Sequence, residues 1–393
     1  LSAFDHRAVG TLAGTASVYE IGYGQVIQSA DELISPPAVE EFVAPGFIDV
    51  QVNGFAGVDY NDPGATLEDI AASLRTMFST GVTRCFPTII TGSAERIEGA
   101  LRNLTDVKRK LERDGRAEGA AIEAFHVEGP HISPEEGPRG AHPVEFVRAP
   151  DFREFERWQQ AAEGLVRLVT VSPEWPGAPD YIRAVTRTGV VVSVGHTKAT
   201  EEQIVAAVDA GATMSTHLGN GAHSMLHKTA NYIWAQLAET RLSPSFIVDG
   251  IHIPSQFLRA AVRAKGIEHS VLVTDAVMPA MCKPGYYQLG SVEVELQEGN
   301  RVVLRGGERL AGSGLRMDHA IGNAVRMAGI TLREALSMAT VNPARICKIA
   351  GRQRGLQPGE KADLVRFTWS EASHSLSVVE AIVGGTTVYT REQ

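Results

Sequence analysis

Glu128, His196, His217 and Asp275 each stand just past an apolar, β-branched run, and together they are the residue types of a hydrolytic metal site. Reading beyond each of eight such runs gives Gln51 and Asn53, then Glu128 with His131, then His196, His217, His252 and Asp275. Six of the eight runs therefore end in residues that bind metal, move protons or hold polar groups. One carboxylate and two neutral imidazoles make a three-ligand set for a catalytic divalent ion, with a fourth position left for water. A closed structural zinc site usually uses thiolates, and Cys85, Cys282 and Cys347 lie away from these motifs. A bound ion would bring the pKa of that water towards about 7 and polarise a carbonyl. Asp275 could take the water's proton and return it to a leaving amine. A lone histidine is more often a packed or surface residue, but several converging on one kind of position call for a common reason.

The elements that must position these residues read as βα units. The runs are Phe47–Val52, Val82–Ile89, Ala121–Val127, Leu165–Val171, Val190–Val194, Thr213–Thr216, Phe246–Val248 and Ser270–Thr274, with helical patterns between them. These patterns include Thr66–Ser79, Glu154–Ala162, Tyr181–Arg187, Thr200–Ala210 and Gln256–Lys265. Thr200 and Gln203 form a capping box, and Gly211 closes that helix. Eight strands with interleaved helices predict an α/β fold, a (β/α)₈ TIM-type barrel, in which residues at the C-terminal strand ends face the active site. An open doubly wound sheet is the competing fold, but no Gly-x-Gly-x-x-Gly turn follows the first strand.

The two ends of the chain lack helical periodicity and carry short alternating runs, Ser17–Ile21, Asp363–Phe367 and Val378–Ile382. The expected division is a barrel over residues 45–350 and a small β-sandwich domain from residues 1–44 and 351–393. After the eighth strand Val292, Val294 and Leu296 alternate, Glu298 to Asn300 turn, and Val302–Leu304 return, predicting a hairpin on the catalytic rim where a lid would sit. The charged stretch Lys108–Arg116 reads as a solvated helix face.

Composition narrows the function classes. With 44% hydrophobic and 21% charged residues the 393-residue chain is an ordinary globular protein. A net charge of −9 without a long basic run argues against a nucleic-acid partner. No run reaches the 18 or so apolar residues of a membrane span, so no membrane partner is expected. Three scattered cysteines fit a reducing compartment, and a cytoplasmic location is expected.

An ordered set of short motifs resembles the N-acetylglucosamine-6-phosphate deacetylases of the amidohydrolase superfamily. They are Pro45-Gly-Phe-Ile-Asp-Val-Gln-Val-Asn-Gly54, His126-Val-Glu-Gly-Pro-His131, Gly140-Ala-His-Pro143, Val194-Gly-His-Thr197 and Ser215-Thr-His-Leu218. Val248-Asp-Gly-Ile-His252, Thr274-Asp-Ala276 and Leu310-Ala-Gly-Ser313 continue the series. The resemblance implies a barrel with a small β-domain, hydrolysis of N-acetylglucosamine 6-phosphate to glucosamine 6-phosphate and acetate, and a homodimer whose neighbour completes the active site. It implies Glu128, His196 and His217 as ligands of one divalent metal, Zn²⁺ first, with Fe²⁺, Mn²⁺ or Co²⁺ as alternatives, and Asp275 as general base and acid. It also implies His142, with Ala141 beside it, holding the substrate near its carbonyl. Asn220 and Gly221 would contact the sugar-phosphate and His252 the sugar, and Ala311 and Gly312 would line the acetyl pocket.

Two departures bear on this. Gln51-Val-Asn53 stands where many amidohydrolases carry His-x-His, and no Lys follows strand four, so one metal rather than two is expected. Lys228, preceded by His227, stands where the family places a phosphate-binding Arg. Lys holds phosphate as a point charge without the bidentate fork. Two other readings stay open at this stage: a deacylase of another N-acyl compound (an unphosphorylated amino sugar or an N-acyl amino acid), and a non-catalytic metal-binding scaffold that would leave Asp275 idle.

Overall fold

The computed structural model describes residues 6–34, 38–290 and 292–392. Eight parallel strands form the barrel, numbered here in chain order: Phe47–Val52, Val82–Ile90, Phe125–Glu128, Val166–Val171, Val191–Val194, Met214–Ser215, Ser243–Ile247 and Val271–Val273. Each pairs with its sequence neighbour; Val169 of strand four, for example, lies between Val127 and Val192. A parallel bridge from Val52 to Ala276 joins the ends of strands one and eight, and the Asp275 N–H donates to Gln51 O at 2.9 Å. The expected barrel is the observed one.

The helices form where the spacing predicts them. In Leu67–Phe78 the buried Ile70, Leu74 and Met77 recur at helical intervals, and Thr66 caps the N-terminus by accepting from Asp69 N–H. Thr200 and Gln203 make the reciprocal capping box in front of Glu201–Asp209. Buried Phe, Ile, Leu and Val side chains from strands and helices merge into one large core.

Three local readings differ. The third strand begins at Phe125 because the alanine-rich Ala117–Ala121 forms a short helix, as its propensity favours. The seventh begins earlier, at Ser243, although Pro244 has no N–H; Ser243 donates to Thr213 O, and Ser245 O accepts from Leu218 N–H. Lys108 is not on a solvated face: it is buried, with Nζ donating to Gly119 O at 3.0 Å and Glu112 Oε1 at 2.6 Å.

Both chain ends build one continuous seven-stranded sheet. Its order runs Thr386–Thr390, Ser375–Val383, Leu364–Ser370, Phe42–Pro45, His6–Thr11, Val18–Tyr23 and Ile27–Glu32. Ala8, Ile21, Tyr23, Ile27, Val43, Leu364 and Ile382 give it a core of its own. The insertion after strand eight has three strands rather than two, Gly285–Leu289, Val292–Leu296 and Val302–Leu304. Gly299 and Asn300 make its expected turn with φ of 79° and 66°. None of the helices among the described residues is long and apolar enough to cross a membrane.

Asp363 ties the terminal sheet to the barrel. Its carboxylate takes a fork from Arg84 of strand two, Nε to Oδ2 at 2.7 Å and Nη2 to Oδ1 at 3.0 Å, and a further bond from Arg352 at 2.5 Å. Arg352 also donates to Gly46 O, and Gly384 N–H donates to Asp363. Burial opposes the charge, but the two guanidinium groups hold the carboxyl well below its usual range. Its stabilising contribution is therefore complete above the unfolded carboxyl value of about 3.9 and is lost as pH falls through the lower folded value. Asp363→Asn should cost about 3–5 kcal/mol, because it leaves buried guanidinium charge uncompensated. Urea titration at neutral pH checks this; a loss below about 1 kcal/mol would show that the arginines relax to other partners.

Candidate active site

The polar residues gather at one end of the barrel. Glu128 is the last residue of strand three, while His196, His217 and Asp275 lie two residues beyond strands five, six and eight. The last three have left-handed backbones, with φ of 48°, 27° and 50°, which is uncommon outside glycine and recurs at functional sites. Each backbone is pinned. His196 O accepts from Ser133 N–H, His217 N–H donates to Ser245 Oγ, and Asp275 bonds both Gln51 O and Ser313 N–H.

Glu128 is the hub. Its Oε1 lies 2.9 Å from His217 Nε2, 3.2 Å from His196 Nε2 and 3.0 Å from Gln51 Nε2. The two imidazole Nε2 atoms are 3.1 Å apart. His196 Nδ1 bonds Pro138 O at 2.8 Å, so its proton resides there and Nε2 turns a lone pair inward. Lone pairs and a carboxylate oxygen at this separation repel unless a proton or a cation lies among them. These three residues are the one group of His, Cys, Asp and Glu among the described residues suited to hold a metal ion. Gln51 and Asn53 act as donors: Gln51 Nε2 bridges Glu128 and Asp275 Oδ1, and Asn53 Nδ2 reaches Asp275 Oδ1 at 2.6 Å. Gln51 thus braces both carboxylates and Asn53 that of Asp275.

The charges follow from this packing. Burial and the Glu128 charge push the Asp275 carboxyl up to about 6, against the hydrogen bond from Asn53. Burial disfavours charge on Glu128 too, but the two imidazoles hold it well below its usual value. Burial and neighbouring His196 push His142 down to about 3, so it is a neutral imidazole. Its Nδ1 bonds Thr91 Oγ1 at 2.8 Å, and its ring meets the His196 ring edge-on.

A cavity of about 690 Å³ opens above this cluster. Glu128, His196, His217 and Asp275 line it, as do Ala141, His142, Asn220, Gly221, His252, Ala311 and Gly312. Two glycines are needed by geometry. A Cβ on Gly221 would come 2.6 Å from His196 Nδ1, and one on Gly312 2.3 Å from Val277 Cγ1.

Other candidates fall elsewhere. His131 turns away from the rim: it is fully buried against Trp158 and Tyr181, with Nδ1 at 3.3 Å from Arg148 O. Burial holds it neutral, with its pKa pushed down to about 4, and its role is packing. His223 joins Tyr232 Oη to Glu135, bracing the loop that carries Pro138 and His142. His227 and Lys228 are exposed and outside this chain's cavity lining. The sequence reading missed Thr91, although it follows strand two just as the other site residues follow their strands. It also missed Asp249, whose Oδ2 lies 2.6 Å from His252 Nδ1 and orients that ring.

Residues 42–388 match the amidohydrolase family. The chain is 34% identical over 326 residues to an N-acetylgalactosamine-6-phosphate deacetylase of Escherichia coli O157:H7, covering 83% of each chain. It is 35% identical over 334 residues to an N-acetylglucosamine-6-phosphate deacetylase of Bos taurus, covering 82% of this chain and 78% of that one. Among solved structures it resembles a mutant N-acetyl-D-glucosamine-6-phosphate deacetylase from Mycobacterium smegmatis in complex with N-acetyl-D-glucosamine 6-phosphate. The TM-score is 0.84 at 29% identity, covering 98% of this chain and 100% of that one.

We expect the Glu128–His196–His217 cluster to take up about one equivalent of divalent metal. Elemental analysis of metal-saturated, desalted protein measures this. Two tightly held ions, with His196→Ala retaining both, would contradict a single three-residue site. Gly221→Ala, which crowds His196, should weaken zinc affinity by about 10-fold or more.

Proposed function

The chain belongs to the amidohydrolase family, and on that premise we propose that it hydrolyses the N-acetyl group of an amino sugar 6-phosphate, N-acetylglucosamine 6-phosphate first, giving the free amine and acetate. The observation that carries this reading is the Glu128–His196–His217 cluster bridged through Gln51 to Asp275 in one cavity. The names and coverage of the relatives support the same chemistry.

Glu128, His196 and His217 would hold the metal, with zinc proposed. When bound, that ion supplies water activation at neutral pH and polarisation of the amide carbonyl. Asp275 moves the proton. Both amide donors, from Gln51 and Asn53, fall on its Oδ1, which leaves Oδ2 to accept the proton of the attacking water. The water oxygen bonds to the acyl carbon, the C–N bond breaks, and Asp275 gives the proton to the departing amine, the acyl group ending as the carboxylate. Neutral His142, held by Thr91, orients the substrate near its carbonyl without adding charge. The Ala311–Gly312 backbone lines the acyl side, and Asn220, Gly221 and His252 meet the sugar-phosphate.

The family resemblance implies a homodimer in which each copy lends Lys228 to the other, and Lys228 is exposed outside its own cavity. The same observation also favours a second reading, an unphosphorylated N-acetyl amino sugar, since no cation need then meet the 6-position. Three free cysteines fit the cytoplasmic location we propose.

Asp275→Asn should keep metal while kcat falls roughly 10²-fold or more; unchanged turnover would assign the proton to another group. A panel of N-acetyl hexosamines with and without 6-phosphate separates the two substrate readings. For the phosphorylated sugar, Lys228→Ala should raise KM about 10-fold, the scale of one lost charge-assisted contact. Equal turnover of both sugar classes, insensitive to Lys228, would overturn the phosphate reading and leave a neutral amino sugar or another N-acyl compound.

A further inference from the structure

The proposed acyl side, at Ala311 and Gly312, adjoins residues of the three-stranded insertion. Ala311 packs in one cluster with Val294 and, at its margin, Leu289, Val292 and Leu304 of the three-stranded insertion. Those insertion residues also line the cavity, as does Ile97 at the start of the helix Ala94–Arg113. The acyl side is therefore continuous with an apolar wall.

Two cations line the cavity among the described residues, Arg96 and Arg309. Arg309 is engaged by Glu136. Arg96 is paired more loosely: Asp59 Oδ2, also on the cavity wall, stands 3.9 Å from its Nη2, and its guanidinium donates no hydrogen bond to a described residue. The Arg96 backbone N–H is fixed by Ser93 at the helix start. A Cβ on Gly290 would come 2.9 Å from Nη2, so the guanidinium lies at the corner of the insertion, between the strands that supply Leu289 and Val292. A guanidinium has five donors in a planar fork and matches a carboxylate two-to-two. Here one held, among the described residues, only by the 3.9 Å ion pair to Asp59 lines the cavity at the edge of an apolar wall.

We propose that Arg96 selects the acyl group: the enzyme accepts N-acyl chains longer than acetyl that end in a carboxylate, with the methylenes against the insertion's apolar wall and the carboxylate on Arg96. This inference rests on the deacylase reading above and adds an acyl-side specificity to it. The scissile step is unchanged, water adding to the acyl carbon and the amine leaving with a proton, so a dicarboxylic acid is released in place of acetate.

The test uses the metal-loaded enzyme with glucosamine 6-phosphate carrying an N-acetyl, an N-butyryl or an N-succinyl group. Butyryl and succinyl match in chain length and differ in the terminal charge. In the wild type, kcat/KM for succinyl should exceed that for butyryl by about 10-fold or more, the scale of a charge-assisted contact. Arg96→Ala should bring that ratio close to one, mainly through KM, and Arg96→Lys should keep part of it. A wild-type ratio near one, or an unchanged ratio in Arg96→Ala, overturns the proposal. If the N-acetyl probe is cleaved in that case, the deacetylase reading stands without it. If none of the three probes is cleaved, both readings fall together.

Discussion

Everything at the rim depends on keeping the Glu128 carboxylate charged out of water. Burying an unpaired carboxylate costs several kcal/mol, so donors must reach it from several directions at once. Here Gln51 of strand one donates to it, and the turns after strands five and six bring the His196 and His217 rings against it. No local segment can supply that set. Only a closed barrel brings positions 51, 128, 196 and 217 within one hydrogen-bond radius, and so barrel closure and site assembly are the same event.

Closure is enforced beneath the site. Asp49 of strand one is wholly buried and accepts from Thr274 Oγ1 at 2.5 Å and from Gln51 N–H at 3.2 Å. Burial pushes its carboxyl up to about 7, yet these bonds lock the seam between strands one and eight immediately below Gln51 and Asp275. Across the barrel interior His126 Nε2, Thr170, Thr216 and Ser193 form a chain of hydrogen bonds at 2.6–2.8 Å. The interior is therefore polar directly under the catalytic end. Pinned on both sides, the turns can hold His196, His217 and Asp275 in left-handed conformations that an unconstrained loop would abandon.

Much of this was legible in the residues. Periodicity placed the eight strands to within a few positions, and the rule that strand ends face the site picked out Glu128, His196, His217, His252 and Asp275 before any contact was known. The misses have physical reasons. His131 follows Glu128 closely, but the chain turns after the strand, and only the packed Trp158 and Tyr181 reveal that its ring faces inward. Lys108 carries a charge that composition assigns to solvent, whereas its long apolar stem lets it be buried with Nζ on Gly119 O.

By itself the sequence determined the alternation of strands and helices, the capping signals and the chemical types available at each strand end. These are local quantities, set by side-chain period and backbone preference. Only the tertiary structure decided that Gln51 and Asn53 brace carboxylates, that Thr91 and Asp249 orient His142 and His252, and that Arg96 rather than Lys228 shares the cavity with Asp275. Those assignments join residues far apart in the chain, and which donor meets which acceptor is fixed by barrel closure and burial, which no single segment encodes.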